Sequence, residues 1–334
     1  MSSLILQSTI NKLYLKNFKC YQALELEMTQ FNLISGINSS GKSTIIQALL
    51  MYSSHQNSQK YDLIDNRYGI NFVSFVDVLN NQDEDAESFI IAINEIPREF
   101  RETLDERTRA AFSSIATTNP VYFPAPILYI SADRETSATQ IEKKISANYL
   151  PSQNNCTIGY FLYTSETVYQ NNLMNKLNSY LKQIGLIKKQ LTVEKGLNYY
   201  AIKIDGVSIA HVGMGIRYVL PILLTCLTNQ DSIICIENPE IHLHPKAQIT
   251  LINSIIDICC SNRNQIFLET HSDHVLNSFR GYVKEHPDQA EKVNVMFVDD
   301  NQIVRSIHID NSGKLDRQYD NFFDEIKKQL VKLL

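Results

Sequence analysis

The chain has 334 residues, which is enough to bury a large hydrophobic core in one or two domains. Hydrophobic residues make up 44% and charged residues 20%, as in ordinary soluble globular proteins, and the net charge of −5 argues against a polyanion-binding surface except as a local basic patch. The six cysteines form no C-x-x-C pair, the N-terminus lacks a signal-peptide pattern, and the longest apolar run, Val219–Leu227, is too short to span a bilayer. We therefore expect a cytoplasmic protein with reduced cysteines and no membrane partner.

Alternating apolar residues mark the first elements of the chain. The segments Asn11–Phe18 and Ala23–Met28 each alternate, which predicts a β-hairpin-like pair. Phe31–Ser35 is a short apolar run typical of a buried strand, and Thr44–Met51 has the composition of a helix. A glycine-containing loop therefore lies between a strand and a helix.

That loop fits the phosphate-binding P-loop pattern G-x-x-x-x-G-K-[ST], and the alternative is a chance glycine-rich turn. Backbone N–H groups of such a loop close around phosphates, and the following helix contributes the positive end of its dipole. Lys42 is expected to reach the β- and γ-phosphates of ATP, and the Ser43 hydroxyl is expected to bind Mg²⁺. The predicted nucleotide-binding residues of the loop are Asn38, Ser39, Ser40, Gly41, Lys42, Ser43 and Thr44.

The middle of the chain carries weaker patterns. Asn71–Leu79 and Ser88–Asn94 are interpreted as strands, and the charged segment Pro97–Ile115 as a helix. A proline-rich link leads into a predicted strand at Ile127–Ser131, and residues 137–191 are interpreted as mainly helical and polar.

The last third alternates between helices and strands, as in an α/β core. Its predicted strands are Tyr199–Ile204, Ser232–Ile236 and Gln265–Glu269, and two short strands follow near residues 293–298 and 303–309. Its predicted helices are Val212–Leu227, Ala247–Cys260, Asp273–Glu285 and an amphipathic helix at Tyr319–Leu334.

An apolar strand that ends in an acid follows the pattern of a Walker B strand. Here the strand ends at Glu237, which is expected to bind the hydrated Mg²⁺ beside the phosphates. His242 and His244 follow closely and leave a separate metal site as an alternative, although no Glu or Cys completes a ligand set at helical spacing. A later strand ends in Thr270-His271, where the imidazole could hydrogen-bond the γ-phosphate or could be structural.

The order of these motifs resembles the ABC-type ATPase heads of the SMC, RecF and OLD proteins. The opening Leu15-Lys-Asn-Phe18-Lys is similar to the first strand of those heads, and Glu237-Asn-Pro-Glu240-Ile-His-Leu-His-Pro and Thr270-His-Ser-Asp-His look like the OLD-type branch. Val212-Gly-Met-Gly and the closing Gly313-Lys-Leu and Phe322-Phe-Asp-Glu point to a branch of bacterial, defence-associated ATPases without the Toprim nuclease domain. The resemblance is weak over residues 52–125 and 136–195.

The resemblance implies that two heads pair head to tail, so that each ATP lies between the P-loop of one head and the signature helix of the other. The signature would be Val212–Tyr218, in which Gly213 and Gly215 would let the helix N-terminus approach the γ-phosphate and Arg217 would also contact the nucleotide. A packed helix with a glycine-rich start is the alternative. The fold implied is an α/β head with a P-loop core sheet, an antiparallel β subdomain and a helical subdomain.

Two departures from the family pattern affect the chemistry. Arg217-Tyr218 replace the usual Ser-Gln, so Arg217 could act as an arginine finger or point elsewhere. Asn238 replaces the usual catalytic Glu after Walker B; an amide can orient water but cannot accept a proton, and Glu240 is the nearest substitute base. With His271, the residues Glu237, Asn238 and Glu240 form the predicted catalytic set, and slow turnover is expected.

We expect one head over residues 1–334, with an N-terminal lobe at 1–135, a helical insertion at 136–195 and a C-terminal lobe at 196–334. The function expected first is an ATPase, dimeric or larger, that controls a separately encoded effector in an anti-phage or toxin-like system. Alternatives are a RecF-like ATPase that binds DNA through Lys12, Lys16, Lys19 and the region 182–195, and a non-hydrolysing nucleotide-gated scaffold. The role of the segment Ser131-Ala-Asp-Arg134 is left open, with surface salt bridging as its simplest interpretation.

Overall fold

The structure is a computed structural model, and it divides the chain into two compact units. The first unit comprises Met1–Ile127, Glu291–His308 and Leu315–Leu334, and the second comprises Leu128–Ala290 and Ile309–Lys314. The residues that the structure describes are 4–5, 9–54, 60–61, 64–65, 70–72, 74–83, 86–104, 111–115, 121–122, 125, 127–134, 140–142, 170–317, 319, 322–323 and 332.

The described part of the first unit contains strands and one helix. The helix is α1 (Lys42–Ser54). The strands are β1 (Leu4–Ile5), β2 (Lys12–Phe18), β3 (Tyr21–Glu27), β4 (Phe31–Gly36), β5 (Lys60–Tyr61), β6 (Ile64–Asp65), β7 (Ile70–Asn71), β8 (Ser88–Ile93), β9 (Ile96–Leu104), β10 (Ala111–Ile115), β11 (Val121–Tyr122), β19 (Val293–Val298) and β20 (Val304–Ile307).

An antiparallel sheet in the order β3-β2-β8-β9-β10-β5 forms the β subdomain of the first unit. The sheet alternates as expected, and Leu13 and Leu15 of β2 are fully buried. Three aromatic residues from β2, β8 and β9 pack in this core, where the Phe18 and Phe89 ring centroids are 5.2 Å apart and those of Phe89 and Phe100 are 4.8 Å apart. The predicted hairpin at residues 11–28 is therefore confirmed.

Two middle-segment predictions are wrong. The described parts of Pro97–Ile115 belong to β9 and β10 rather than to a helix, and the buried Arg98 and Phe100 of β9 are spaced at a period of two. Most of Asn71–Leu79 is not a strand, since β7 ends at Asn71 and the amides of Val78 and Leu79 donate to the Phe75 carbonyl in a turn. In the first segment the many charged residues conceal the alternation of the strands.

The P-loop strand lies in a buried layer of the first unit. β4 pairs in parallel with β19, which pairs antiparallel with β20. Phe31, Leu33 and Ile34 are fully buried, and α1 is buried along much of its length, including Ile45 and Leu49. This packing fixes the strand and the helix on both sides of the P-loop.

The second unit contains the remaining described helices and strands. Its helices are α2 (Gln170–Ile184), α3 (Met214–Thr228), α4 (Pro245–Asn262) and α5 (Asp273–Glu285), with 3₁₀ turns at Ile209–His211 and, at the unit boundary, Pro287–Lys292. Its strands are β12 (Ile127–Ile130, which begins at the boundary), β13 (Ile141–Glu142), β14 (Leu191–Lys195), β15 (Tyr199–Ile204), β16 (Val207–Ser208), β17 (Ile233–Glu237) and β18 (Gln265–Glu269).

The strands β12, β17 and β18 lie side by side in that order, and β17 and β18 are parallel. All five residues of β18 are buried, as are the first four of β17, in agreement with the near-continuous apolar runs expected for a parallel sheet covered by helices. A second, antiparallel group joins β13, β15, β14 and β16. The predicted strands and helices between residues 199 and 285 are confirmed to within a few positions.

Some predictions lie outside the described residues. These include most of the amphipathic helix at residues 319–334 and of the stretch 136–195, of which β13, α2 and β14 are described. The lobe boundaries remain predictions. Within the described ranges, every helix is too short or too polar to cross a membrane.

Candidate nucleotide-binding site

The P-loop between β4 and α1 has a backbone that only some residues can adopt. Gly36 has φ 150°, and a Cβ there would lie 2.2 Å from the Val298 carbonyl oxygen. Gly41 has φ 103°, and a Cβ there would lie 2.5 Å from Cys20 Sγ. Ser39 also has a positive φ of 61°, which is uncommon for a non-glycine residue. The two glycines therefore let the loop fold tightly at the start of α1.

Hydrogen bonds within the loop hold its polar groups. The Lys42 ammonium donates to the Ile37 carbonyl, and the Ser40 hydroxyl donates to the same oxygen at 3.0 Å. Lys42 is only 4% exposed, so its charge is held inside the loop rather than in solvent. The remaining predicted residues surround it: Asn38 and Ser39 are exposed, Ser43 is half-buried at the start of α1, and Thr44 is buried.

The turn between β2 and β3 lies against the P-loop, which the sequence motifs do not indicate. The Tyr21 hydroxyl donates to the Gly41 carbonyl at 3.2 Å, and Cys20 Sγ lies 3.7 Å from the Thr44 hydroxyl. Lys19 Nζ donates to Gln47 of α1 at 2.7 Å. Burial raises the pKa of the Cys20 thiol, which therefore stays neutral at physiological pH.

In the second unit, the predicted catalytic residues follow the carboxyl ends of β17 and β18. We call residues Glu237–Leu243 the Walker B edge. The parallel register places Glu237 opposite Glu269, so the turns after the two strands emerge at the same side of the sheet. The Ala132 amide, which follows β12, donates to Glu237 Oε2 at 3.2 Å. Burial and the nearby Glu237 carboxylate raise the pKa of the Tyr129 hydroxyl, so Tyr129 stays protonated and can donate to Glu237.

The Walker B edge has a constrained backbone. Asn238 has φ 43° and His242 has φ 60°, both in the left-handed region that non-glycine residues rarely occupy. The Asn238 amide donates to the Glu269 carbonyl at 2.8 Å, which ties the edge to the end of β18. Such conformations persist where surrounding contacts over-determine them, and they cluster at functional sites.

Glu240 connects the Walker B edge to His271, the predicted contact of the γ-phosphate. The His271 amide donates to Glu240 Oε1 at 2.9 Å, while the His271 side chain is exposed and accessible to a ligand. Burial raises the pKa of Glu240, and the hydrogen bond from the His271 amide opposes that rise. The next residue, Ser272, caps α5 and donates from its hydroxyl to Gln248 at 2.6 Å. Glu240 therefore has the elevated proton affinity of a candidate general base.

The signature segment packs on the Walker B edge. Gly213 is the exposed N-cap of α3, and Gly215 lies where a Cβ would come within 3.1 Å of the His242 carbonyl oxygen. The ring centroids of Tyr218 and His242 are 4.8 Å apart in an edge-to-face arrangement. Gly215 thus permits a close approach of α3, while Arg217 is half-buried in its first turns.

The histidines do not support the alternative metal site. The His244 ring accepts from the Lys246 amide at 3.4 Å and caps α4. No group of three or more His, Cys, Asp or Glu side chains that could hold a metal ion occurs within the part of the chain that the structure describes.

Arg134 does not lie on the surface, so the salt-bridge interpretation of its segment is wrong. Its side chain is fully buried and donates to backbone carbonyls of α3 and of the Walker B edge. Burial lowers its pKa to about 10, and the Glu240 carboxylate opposes this effect, so the guanidinium remains charged at neutral pH. The sequence gives no local signal for this burial, since the acceptors are distant in the chain.

The second unit thus brings together Glu237, Asn238, Glu240, His271 and the signature start, whereas the P-loop is organised within the first unit. The family described as "AAA domain, putative AbiEii toxin, Type IV TA system" matches residues 31–277, which include all of these positions. No curated protein matches the chain at a significant level.

Solved structures share the fold at low sequence identity. The SmcHead bound to the C-winged helix domain of ScpA aligns with 14% identity and a TM-score of 0.54, covering 95% of this chain and 99% of that one. The Smc head domain bound to the C-terminal domain of ScpA from Pyrococcus furiosus aligns with 13% identity and a TM-score of 0.54, covering 97% and 99%. The recombination mediator protein RecF aligns with 10% identity, covering 89% and 98%, at a TM-score of 0.45 that is too low to support an argument.

The family match covers most of the chain, and the fold is that of the ABC-type heads. The chain is therefore an ATP-binding ATPase domain that belongs to the AAA-domain family of putative AbiEii toxins of type IV toxin–antitoxin systems.

Proposed function

We propose that the protein hydrolyses ATP slowly, that two copies associate head to tail around ATP, and that this association controls a separately encoded effector. The observation that carries the proposal is the P-loop cradle with its buried Lys42, together with an ordered Walker B edge on which the signature start is packed. Each part has the residue types that phosphoryl transfer requires.

The P-loop residues would bind the triphosphate. Backbone N–H groups of Asn38 to Thr44 and the N-terminus of α1 favour negative charge. Lys42 would exchange the Ile37 carbonyl for the β- and γ-phosphate oxygens, which are stronger acceptors because they are charged. Gly41 would allow the loop to keep this conformation around the phosphates, since a Cβ at this position would collide with Cys20 and Tyr21.

The predicted Mg²⁺ ligands fit a hard cation. The Ser43 hydroxyl and the Glu237 carboxylate are oxygen donors, and Glu237 already accepts a backbone hydrogen bond that orients it. When bound, Mg²⁺ would neutralise developing charge on the phosphate oxygens. Ser43 belongs to the first compact unit and Glu237 to the second, so the role of each as a Mg²⁺ ligand is predicted separately.

The Walker B edge would activate the attacking water. The side-chain amide of Asn238 can orient a water molecule. Glu240, whose pKa is raised, can accept a proton from this water as the water oxygen bonds to the γ-phosphorus and ADP leaves. The exposed His271 imidazole would hydrogen-bond the γ-phosphate. If Glu240 is the base, Glu240→Gln will reduce turnover more than Asn238→Ala, while an equal or smaller loss would remove Glu240 from this role.

Control of an effector rests on the family and on a related head. The matching family is described as a putative toxin of type IV toxin–antitoxin systems, which supports a toxin-like role. The SmcHead structure contains a domain of a second protein, ScpA, which supports the idea that a head of this fold can bind a separate protein.

The experiment is affinity purification of the tagged wild type and of Lys42→Ala from the native host, each with ATP and Mg²⁺ and each without. We expect one protein to copurify with the wild type in a nucleotide-dependent manner and to be lost from Lys42→Ala. Identical partner sets under all four conditions would contradict nucleotide control. Recovery of DNA in place of a protein would instead favour the RecF-like alternative.

A further inference from the structure

Arg134 is a buried cation whose hydrogen bonds go to backbone carbonyls. Its Nε donates to the Tyr218 carbonyl at 3.0 Å, and its Nη1 donates to the Ser131 carbonyl at 3.0 Å and to the Glu237 carbonyl at 2.5 Å. Its Nη2 donates to the Asn238 carbonyl at 2.6 Å. One planar guanidinium thus joins the loop after β12, helix α3 and the Walker B edge.

The helical acceptor is at a weak point of α3. Pro221 lies inside this helix and has no N–H, so the carbonyl of the residue four positions earlier, Arg217, loses its helical hydrogen bond. The carbonyl that Arg134 binds belongs to the adjacent Tyr218. Arg134 therefore supports the turn of α3 that carries Arg217, where the helix supplies one bond fewer than usual.

On the Walker B edge, Arg134 binds the carbonyls of two predicted catalytic residues, one of which has a strained backbone. Asn238 has the left-handed φ of 43°, and Arg134 binds both its carbonyl and that of the preceding Glu237. A left-handed conformation at a residue other than glycine costs free energy and needs outside support. Arg134 supplies that support from a position more than 100 residues away.

Side-chain packing reinforces the same connection. The Arg134 guanidinium lies 5.7 Å from the Tyr218 ring centroid, within the range of a cation–π interaction, and the same ring packs edge-to-face on His242 of the Walker B edge. Tyr218 stands at one of the two positions where the chain departs from the Ser-Gln of the related heads. The Tyr218 ring thus contributes to the packing between α3 and the Walker B edge.

We propose that Arg134 is a positioning residue that couples the signature helix to the Walker B edge, so that the surface offered to a second copy and the groups that activate water move as one body. The inference rests on the proposed ATP-dependent association. A lysine cannot replace Arg134, because a single ammonium lacks the planar fork that serves three chain segments.

The test compares Arg134→Met and Arg134→Lys with wild type and with Arg280→Met. Arg280 is a matched control in the same unit, because its Nε donates to a backbone carbonyl, that of Gly313, away from the Walker B edge. Hydrogen exchange would be measured by mass spectrometry, ATP affinity on the dilute monomer, and ATP-dependent association by sedimentation.

We expect both Arg134 variants to exchange faster at residues 214–222 and 237–243 together, with ATP affinity of the monomer within about threefold of wild type. ATP-dependent association should weaken at least tenfold, in line with the loss of charged hydrogen bonds, and Arg280→Met should match wild type in all three measurements. Wild-type association of Arg134→Lys, or faster exchange in only one of the two segments, would overturn the inference. If wild type itself does not associate with ATP, the proposed function fails instead.

A second comparison keeps the inference testable if Arg134→Met does not fold. In Arg134→Ala, guanidinium ion at low millimolar concentration should restore ATP-dependent association, while sodium at equal ionic strength should not. Equal association in the two salts would contradict the positioning role.

A double-mutant comparison tests the coupling through Tyr218. In a Tyr218→Leu background, Arg134→Lys should weaken association by a smaller factor than it does in wild type, because the two residues share contacts. An unchanged factor would contradict the coupling.

Discussion

The P-loop and the Walker B edge are both constrained loops at the ends of buried strands, yet they are held in different ways. In the P-loop, Lys42 and Ser40 both bind the carbonyl of Ile37, so the main closing contacts lie within the loop, and the Tyr21 hydroxyl of β3 adds one from outside it. The Walker B edge is held from afar by Arg134 and by the His271 amide. The first site is therefore encoded largely in its own segment, whereas the second depends on contacts that only the tertiary fold provides.

This difference predicts how each region responds to substitution. A change in the P-loop should affect nucleotide binding directly and leave the Walker B edge ordered. A change at the Walker B edge or in α3 should leave the monomer able to bind ATP and should alter association or turnover. The following predictions are ordered by the size of the expected effect.

Lys42→Ala should show the largest effect, a loss of ATP affinity of about 100-fold, which corresponds to about 3 kcal/mol for a lost hydrogen bond between charged groups. The fold should persist, because Ile37 retains the Ser40 hydroxyl as a donor. Titration calorimetry measures the affinity, with Lys203→Ala, which breaks only the exposed pair with Glu194, as a control. Wild-type affinity in Lys42→Ala would remove the P-loop assignment.

Arg217→Ala should weaken ATP-dependent association by about 10- to 100-fold while the monomer binds ATP normally. The guanidinium near the start of α3 would add positive charge where the helix dipole already attracts the γ-phosphate of the ATP bound by the partner copy. Sedimentation with and without ATP measures the association. If Arg217 instead stabilises only its own head, the variant will unfold at a lower denaturant concentration and its folded fraction will associate like wild type.

Asn238→Glu should raise turnover by roughly tenfold. A carboxylate at this position restores a base beside the attacking water, but glutamate is disfavoured at the left-handed φ of 43°, so the gain should fall below the full range for general-base catalysis. Steady-state phosphate release measures the rate. A rate at or below that of wild type, with association intact, would show that residue 238 does not face the water.

The last prediction concerns stability rather than activity: Glu240→Gln should change the pH dependence of the free energy of unfolding by a small amount. Because the folded-state pKa of Glu240 is raised, the folded protein binds this proton more tightly than the unfolded chain does. Wild type should therefore lose stability as the pH rises from the ordinary glutamate range through the raised pKa, whereas the glutamine variant should lack this part of the slope. Urea unfolding at a series of pH values measures it, and parallel curves would contradict the shift.

The sequence predicted the regions that local pattern encodes. The P-loop strand and helix, the Walker B strand ending at Glu237 and the strand before His271 all follow from apolar runs that end in a motif. It did not predict β9, because Arg98 is buried where it donates to the Tyr52 carbonyl of α1, and an arginine gives no apolar signal. Arg134 was missed for the same reason, since its role depends on carbonyls that only the fold brings near.

The central claim, that each ATP is shared between two copies, is tested most directly by mixing Lys42→Ala with Arg217→Ala. In a head-to-tail pair of these variants one composite site keeps an intact P-loop and an intact signature. We predict that, in the presence of ATP and Mg²⁺, the mixture associates at a protein concentration at which neither variant does so alone. In the control, a double variant that carries both substitutions in one chain is mixed in excess with wild type. Each composite site of that mixed pair then lacks either Lys42 or Arg217, so no association beyond that of wild type alone is expected. Equal behaviour of the two mixtures, with pairing of differently labelled chains verified by cross-linking, would contradict the shared site.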